Sequence, residues 1–256
     1  MRGRLGALRT AARVVGRTGY HLTYTALTHP DRTRQFIRAI ANAVADFEPE
    51  AKRSLPTIPL SELCHGLGEL ELPLRLTAST GAELPIDEYV VVAALVRAFK
   101  PKTVFEFGTN RGRTTQLIAE HAGPEARIYT LDLPPELFRR QALPVEAAIE
   151  RIGEAFLDSP IVSQITQCYG DSRTFDFSSY YGAIDLVFVD ADHRYEAVRH
   201  DTQQALRMVR PGGLVIWDDY GPGWPGVVKC LEEVAAPLLI RRIRETRLVC
   251  FHAPEE

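Results

Sequence analysis

The chain has 256 residues, of which 45% are hydrophobic and 25% charged, a composition typical of folded globular proteins. This excludes disordered, collagen-like and coiled-coil chains, and the length fits one large α/β domain with an appendage. The formal net charge of −3 gives no electrostatic reason to expect binding to DNA or RNA.

The N-terminal 40 residues are rich in arginine and contain one acid, Asp31. Such a segment is typical of a basic amphipathic helix, and its composition also resembles that of a mitochondrial transit peptide. We favour a helix docked on the main domain, and leave a membrane contact and a homo-oligomer open. The sequence thus predicts a helical, Arg-rich appendage over residues 1–80 and an α/β domain over residues 81–256.

The chain shows no sign of a membrane span, a secretory signal or a zinc site. No stretch reaches the roughly 18 apolar residues of a transmembrane helix. The four cysteines lie far apart and form no CxxC pair, which favours reduced thiols. We therefore predict a cytoplasmic protein.

From about Thr103 onward, apolar runs alternate with helical patterns, which predicts a doubly wound, mostly parallel sheet with helices on both faces. The predicted strands cover residues 103–107, 127–131, 165–169, 184–189, 213–217 and 247–252. The predicted helices cover residues 88–99, 114–121, 145–156, 195–209 and 227–234.

Ligands of such sheets bind beyond the carboxyl ends of the strands, and a glycine turn follows the first predicted strand. Gly108 and Gly112 allow a tight turn and a close approach of the next helix to a ligand. Their spacing lacks the Gly-x-Gly-x-x-Gly pattern of dinucleotide sites, which makes NAD the weaker hypothesis. Short polar side chains beside them suit a carboxylate such as an amino-acid tail; these are Thr109, Asn110 and Thr114.

Acids follow the next two strands. Asp132 lies where a carboxylate can accept both hydroxyls of a ribose. Asp171 and Ser172 follow the third strand, where Asp171 can meet an adenine amino group or simply form a turn. The three strand ends together predict a site for a nucleoside with an amino-acid tail.

The fourth and fifth strands end in a cluster of acids. Asp190 follows the fourth strand, and Asp218 and Asp219 follow the fifth, so their repulsion in one cleft calls for a cation. Hard oxygen ligands of this kind suit Mg²⁺ better than zinc. Helix capping is the structural alternative for these acids. His193, three residues past Asp190, is the candidate general base, because imidazole titrates near neutral pH.

These linked motifs resemble class I S-adenosylmethionine-dependent methyltransferases. Within them the chain is most similar to the metal-dependent O-methyltransferases of the catechol, caffeoyl-CoA and macrolide sugar type, over about residues 80–256. The resemblance implies that the glycine turn and Glu106 line the methionine part of the cofactor, that Asp132 holds the ribose, and that Asp171 and Ser172 lie near the adenine.

The same resemblance implies a role for each member of the acidic cleft. Asp190, Asp218 and Asp219 match the family's metal ligands, and we count Asp190 among the cofactor-binding residues as well. His193 stands where catechol-type enzymes have a catalytic Lys and where sugar-modifying relatives have His, which favours a sugar or natural-product hydroxyl over a planar phenol.

The sequence therefore predicts a Mg²⁺-assisted O-methyltransferase that acts on a small hydroxylated molecule, with His193 as general base. Two alternatives remain. One is a nucleotide-binding oxidoreductase of Rossmann type, and the other is a non-catalytic methyltransferase-like module that binds the nucleoside or a partner protein.

Overall fold

The computed structural model describes residues 53–64, 66–74, 84–137, 152–235 and 238–255. The predicted Arg-rich helix of the first 40 residues lies outside this part of the chain. The boundary predicted at residue 80 also stays a prediction, since residues 75–83 are outside it.

The described residues form one eight-stranded sheet in the order β1-β7-β8-β6-β5-β2-β3-β4. β8 is antiparallel to both of its neighbours, and the other pairs are parallel. The strands are β1 (Thr57–Ile58), β2 (Thr103–Phe107), β3 (Arg127–Asp132), β4 (Ile165–Tyr169), β5 (Ile184–Val189), β6 (Val209–Trp217), β7 (Arg241–Ile243) and β8 (Val249–His252). This confirms the predicted doubly wound α/β fold.

The α-helices of the described residues are α1 (Leu60–Leu63), α2 (Ile86–Phe99), α3 (Arg113–Ala122), α4 (Glu154–Leu157), α5 (Tyr195–Met208) and α6 (Pro225–Ala235). None of the helices in the described ranges is long and apolar enough to cross a membrane. Between β4 and β5 the chain forms only a short 3₁₀ helix, Ser178–Tyr180. Aromatic side chains cover the sheet there instead, with the rings of Phe105 and Tyr180 4.9 Å apart.

The sheet positions the site because its central strands end level with one another. The register pairs Phe107 of β2 with Val189 of β5, and Val189 with Trp217 of β6. β2 also pairs with β3, so the strand order reverses on either side of β2. A crevice at this reversal, beyond the carboxyl ends, is the place where open α/β sheets bind ligands.

Several element boundaries differ from those predicted. The predicted helix over 145–156 is wrong at residues 152–153, because Gly153 adopts a left-handed φ of 75° and α4 begins at Glu154; residues 145–151 lie outside the described part. β6 begins at Val209 rather than at residue 213, with an irregular register opposite Ile184. β1 and β7 were not predicted, since runs of two and three residues carry no periodicity.

Candidate active site

The turn after β2 brings the two halves of the crevice into contact. Gly108 has a φ of 92°, and a Cβ atom built on it would lie 2.1 Å from the carbonyl oxygen of Asp190. Gly112 has a φ of 79°, and its Cβ would lie 2.5 Å from the ring of Phe156. Only glycine fits both positions, because the backbone is left-handed and the neighbours leave no room for a side chain. Thr114 lies in the first turn of α3.

Glu106, at the end of β2, is a buried carboxyl group of which one oxygen remains unpaired. Its Oε2 accepts hydrogen bonds from the hydroxyls of Thr115 and Thr130, the latter at 2.6 Å. Its Oε1 is buried without a hydrogen-bond partner, as is Oδ1 of Asn110. Burial raises the pKa of Glu106 to about 8, against the opposing effect of the two hydroxyls. Two orphaned acceptors beside the turn fit a ligand that carries a donor group, such as an ammonium.

Thr109 and Asp132 hold the turn in place. The backbone N–H groups of Thr109 and Asn110 donate to Oδ2 of Asp132 at 3.0 and 2.7 Å. Oδ1 of Asp132 accepts from the N–H of Leu133 at 2.7 Å. The hydroxyl of Thr109 lies 2.7 Å from that of Thr130 and is nearly buried. Asp132 therefore organises the turn itself, and it is the last residue of β3, one residue beyond the predicted end of that strand.

Asp171 and Ser172 follow β4 along the same edge of the sheet. Arg173 donates to both carboxylate oxygens of Asp171, from its Nε at 2.9 and 3.2 Å. This pairing lowers the pKa of Asp171. The carbonyl oxygen of Ser172 lies 3.1 Å from Nε2 of His200 on α5, which ties this loop to the helix after Asp190.

Asp190, His193 and Asp219 converge at the ends of β5 and β6. Nε2 of His193 lies 2.7 Å from Oδ2 of Asp219 and 3.8 Å from Oδ1 of Asp190. One ligand atom from each residue lies within 4.8 Å of the others, a spacing compatible with a shared metal ion. Asp219 adopts a φ of 62°, a left-handed conformation that Asp tolerates better than most residues.

The charges of this cluster are strongly perturbed. Burial lowers the pKa of His193, but the carboxylates of Asp190 and Asp219 outweigh it and raise the pKa to about 10. Burial raises the pKa of Asp190, and the charge of Asp219 adds to the effect. Without a metal ion, the imidazolium of His193 thus balances part of the negative charge.

Asp218 lies next to this group without joining it. It is 6% exposed, and its Oδ1 accepts the N–H of Asp219 at 2.6 Å. Burial, followed by the charges of the neighbouring carboxylates, raises its pKa well above the ordinary value. The structure therefore brings together two of the three predicted metal ligands with His193, and places the third behind them.

Three residues of the site were missed by the sequence analysis or received no role. Trp224, in the loop after β6, stacks on His193 with ring centroids 4.0 Å apart and an interplanar angle of 21°. Arg247 contacts Asp219, its Nη1 lying 3.0 Å from Oδ1, and also pairs with the buried Glu88. Nothing in the sequence links residues 88, 219 and 247, since they meet only through the sheet order.

Known proteins resemble this chain over a range that includes the site. Residues 105–220 match a family model described as a methyltransferase domain. A curated relative, catechol O-methyltransferase of Mycobacterium tuberculosis (strain ATCC 25618 / H37Rv), is 28% identical over 153 residues. The match covers 58% of this chain and 64% of the relative's length.

Solved structures share the fold. Cofactor-bound Rv0187 from MTB has a TM-score of 0.51 at 21% identity, and the match covers 77% of this chain and 90% of that one. A putative caffeoyl-CoA O-methyltransferase from Staphylococcus aureus also has a TM-score of 0.51, at 12% identity, covering 67% of this chain and 85% of that one.

These findings show that residues 105–220 resemble a methyltransferase domain and that the chain is similar in sequence to an O-methyltransferase. The resemblance predicted from the sequence is confirmed at this level.

Proposed function

We propose that this chain transfers a methyl group from S-adenosylmethionine to a hydroxyl of a small molecule, a sugar or a natural product, with the help of a divalent cation. The observation that carries the proposal is the meeting of Asp190, His193 and Asp219 beside the turn at Gly108. Through that contact, a cofactor on the turn and an acceptor on the cluster would be held together.

The cofactor half of the site has groups suited to each part of the nucleoside. The orphaned oxygens of Glu106 and Asn110 would accept the ammonium of the methionine tail. The turn around that tail would be shaped by Gly108, Thr109, Gly112 and Thr114. At the other end of the cofactor, Asp132 would bind the ribose. The loop of Asp171 and Ser172 would bind the adenine, and Asp190 would close the cofactor pocket.

The acidic half has groups suited to a hard cation such as Mg²⁺. The carboxylates of Asp190 and Asp219 would hold it directly, and its charge would favour ionisation of the buried Asp218 beside them. The donor set fits, because it consists of oxygens with a nearby imidazole and no thiolate. A bound divalent cation supplies Lewis acidity, which makes an acceptor hydroxyl easier to deprotonate.

Beside a bound cation the pKa of His193 would fall from its metal-free value of about 10, and Nε2 would then receive the acceptor's proton. Asp219, 2.7 Å away, would then stabilise the imidazolium. Trp224 stacks on one face of the ring, which restricts its rotation. The partner in this proposal is a small hydroxylated acceptor, and a cytoplasmic location stays a prediction.

The proposal is tested by calorimetric titration with S-adenosylhomocysteine, using NAD⁺ as the control ligand, followed by single-turnover methylation of sugar and polyketide hydroxyls. We expect saturable binding of the nucleoside alone, loss of turnover in EDTA and recovery with Mg²⁺. Full turnover in a chelated sample would remove the cation from the proposal. Binding of NAD⁺ instead of the nucleoside would move the assignment to an oxidoreductase.

A further inference from the structure

The buried Glu88 and the partly buried Arg247 form an ion pair that joins α2 to the segment before β8. Glu88 is 2% exposed and lies in the first turn of α2. Its Oε1 accepts the backbone N–H of Arg247 at 2.6 Å, and its Oε2 accepts Nη2 at 2.9 Å. The same carboxylate therefore fixes both the backbone and the guanidinium of Arg247, an arrangement that Lys cannot reproduce.

The guanidinium extends from this pair to the acidic cluster. Its Nη1 lies 3.0 Å from Oδ1 of Asp219, whose Oδ2 faces His193. The backbone N–H of Tyr220 donates to the carbonyl oxygen of Arg247 at 3.0 Å, which holds the two segments at this distance. Asp219 is therefore left with one oxygen for the cleft.

The contact between Arg247 and Asp219 matters because several carboxylates lie close together at this end of the sheet. Asp218 is influenced by the charges of Asp219, Asp190 and Glu88, and Arg247 opposes them. A permanent positive charge in contact with one ligand lowers the attraction of the whole cluster for a second cation. It also prevents Asp219 from binding that cation through both oxygens.

We propose that Arg247 is a built-in counter-ion of the acidic cleft, which presents Asp219 through one oxygen only and keeps divalent cations weakly bound and exchangeable. This rests on the metal site of the proposed function. Arg247 is a positioning residue, since it acts on the cation through Asp219.

The test is a titration of the full chain with Mn²⁺. Electron paramagnetic resonance of the free ion measures how much Mn²⁺ is bound. The variants are Arg247→Met, Arg247→Lys and the double variant Glu88→Gln/Arg247→Met, which avoids leaving an uncompensated buried carboxylate if the single variant fails to fold. Arg210→Met is the matched control, because Arg210 pairs with Asp185 at the start of β5, at the opposite end of that strand from Asp190. Binding of S-adenosylhomocysteine reports that the fold is intact.

We expect Arg247→Met or the double variant to bind Mn²⁺ at least about tenfold more tightly than the wild type. Arg247→Lys should stay closer to the wild type, and Arg210→Met should equal it. Unchanged or weaker Mn²⁺ binding in the variants, with nucleoside binding intact, overturns the proposal.

A wild type that binds no Mn²⁺ would refute the metal part of the proposed function without deciding this one. In that case, Mn²⁺ binding gained by the Met variants supports the counter-ion, and no binding by either overturns it.

Discussion

The two halves of the crevice are built on different principles. At the ends of β2 and β3, hydroxyls and backbone N–H groups surround two carboxylates, and orphaned acceptors remain on Glu106 and Asn110. At the ends of β5 and β6, carboxylates face an imidazole and a guanidinium. The first half is organised by hydrogen bonds with fixed directions, and the second by a balance of charges. Substitutions should therefore act on shape in one half and on charge in the other.

The largest effect is expected where the halves touch. Gly108→Ala would place a Cβ 2.1 Å from the carbonyl oxygen of Asp190, in backbone with a φ of 92°. We expect a loss of about 3–5 kcal/mol in the free energy of unfolding, and loss of nucleoside binding. Urea unfolding and calorimetry with S-adenosylhomocysteine measure the two effects.

Gly123→Ala is the matched control for this prediction. Gly123 has a φ of 98°, but a Cβ there would meet no atom within 4 Å. It should cost only the backbone strain of a conformation that favours glycine, roughly 1–3 kcal/mol. Equal losses in the two variants would show that the contact between the halves contributes nothing.

The next effect separates chemistry from cofactor binding. His193→Ala should lower single-turnover methylation by about 10²–10⁴-fold, because the proton acceptor is lost. Nucleoside binding should change by less than about twofold, since the orphaned acceptors lie in the other half. His252→Ala, an exposed histidine at the end of β8, is the control and should leave both quantities unchanged. Unchanged turnover in His193→Ala would remove the base assignment.

A smaller effect, the release of a proton when the ligand binds, tests the cofactor half of the site. Burial raises the pKa of Glu106 to about 8, so the group is mostly protonated at pH 7 in the free protein. A ligand ammonium favours the carboxylate, so binding of S-adenosylhomocysteine should release up to about one proton from Glu106. Titration calorimetry in two buffers of different ionisation enthalpy measures the release.

Glu106→Gln should abolish that release and weaken nucleoside binding about tenfold. The exposed Glu125→Gln variant should behave as the wild type, and comparing variants cancels the titration of the ligand's own amino group. Equal proton release in the wild type and Glu106→Gln would place the ammonium elsewhere.

The two halves also differ in how far sequence could predict them. The glycine turn, Asp132 and the strands of the sheet core follow from short local patterns, and the strands 103–107, 165–169 and 184–189 match the structure at both ends. The meeting of Asp190 with Asp219 could be expected from adjacent strand ends. Arg247 could not, because its role depends on the antiparallel return of β8 beside β6 and on a carboxylate from α2.

Trp224 and Asp218 mark a second limit of sequence analysis. Both lie in the loop after β6. Which of its side chains faces the cleft depends on the backbone of that loop, where Asp219 adopts a left-handed conformation. That turn places Asp218 behind Asp219. A sequence predicts the presence of the acids, whereas their order around a ligand needs coordinates.

The smallest effect lies outside both halves and separates acid unfolding from acid loss of catalysis. His121, in the last turn of α3, is 2% exposed, and neither ring nitrogen has a hydrogen-bond partner. Burial, helped by the charge of Arg97, lowers its pKa. The unfolded imidazole still takes up a proton near pH 6.5, so the unfolded state binds more protons as the pH falls.

This group's contribution to stability is therefore complete above about pH 6.5 and is lost below it. The free energy of unfolding of the wild type should drop by on the order of 1 kcal/mol between pH 7.5 and 5.5 from this source, and His121→Leu should remove that part of the slope. Urea unfolding across this range makes the measurement, with His252→Leu as the control that keeps the slope. Parallel curves for the wild type and His121→Leu would contradict the assignment. His121→Leu leaves both halves of the crevice intact. If the turnover of this variant still falls at low pH, the cause is therefore titration of the site and not unfolding.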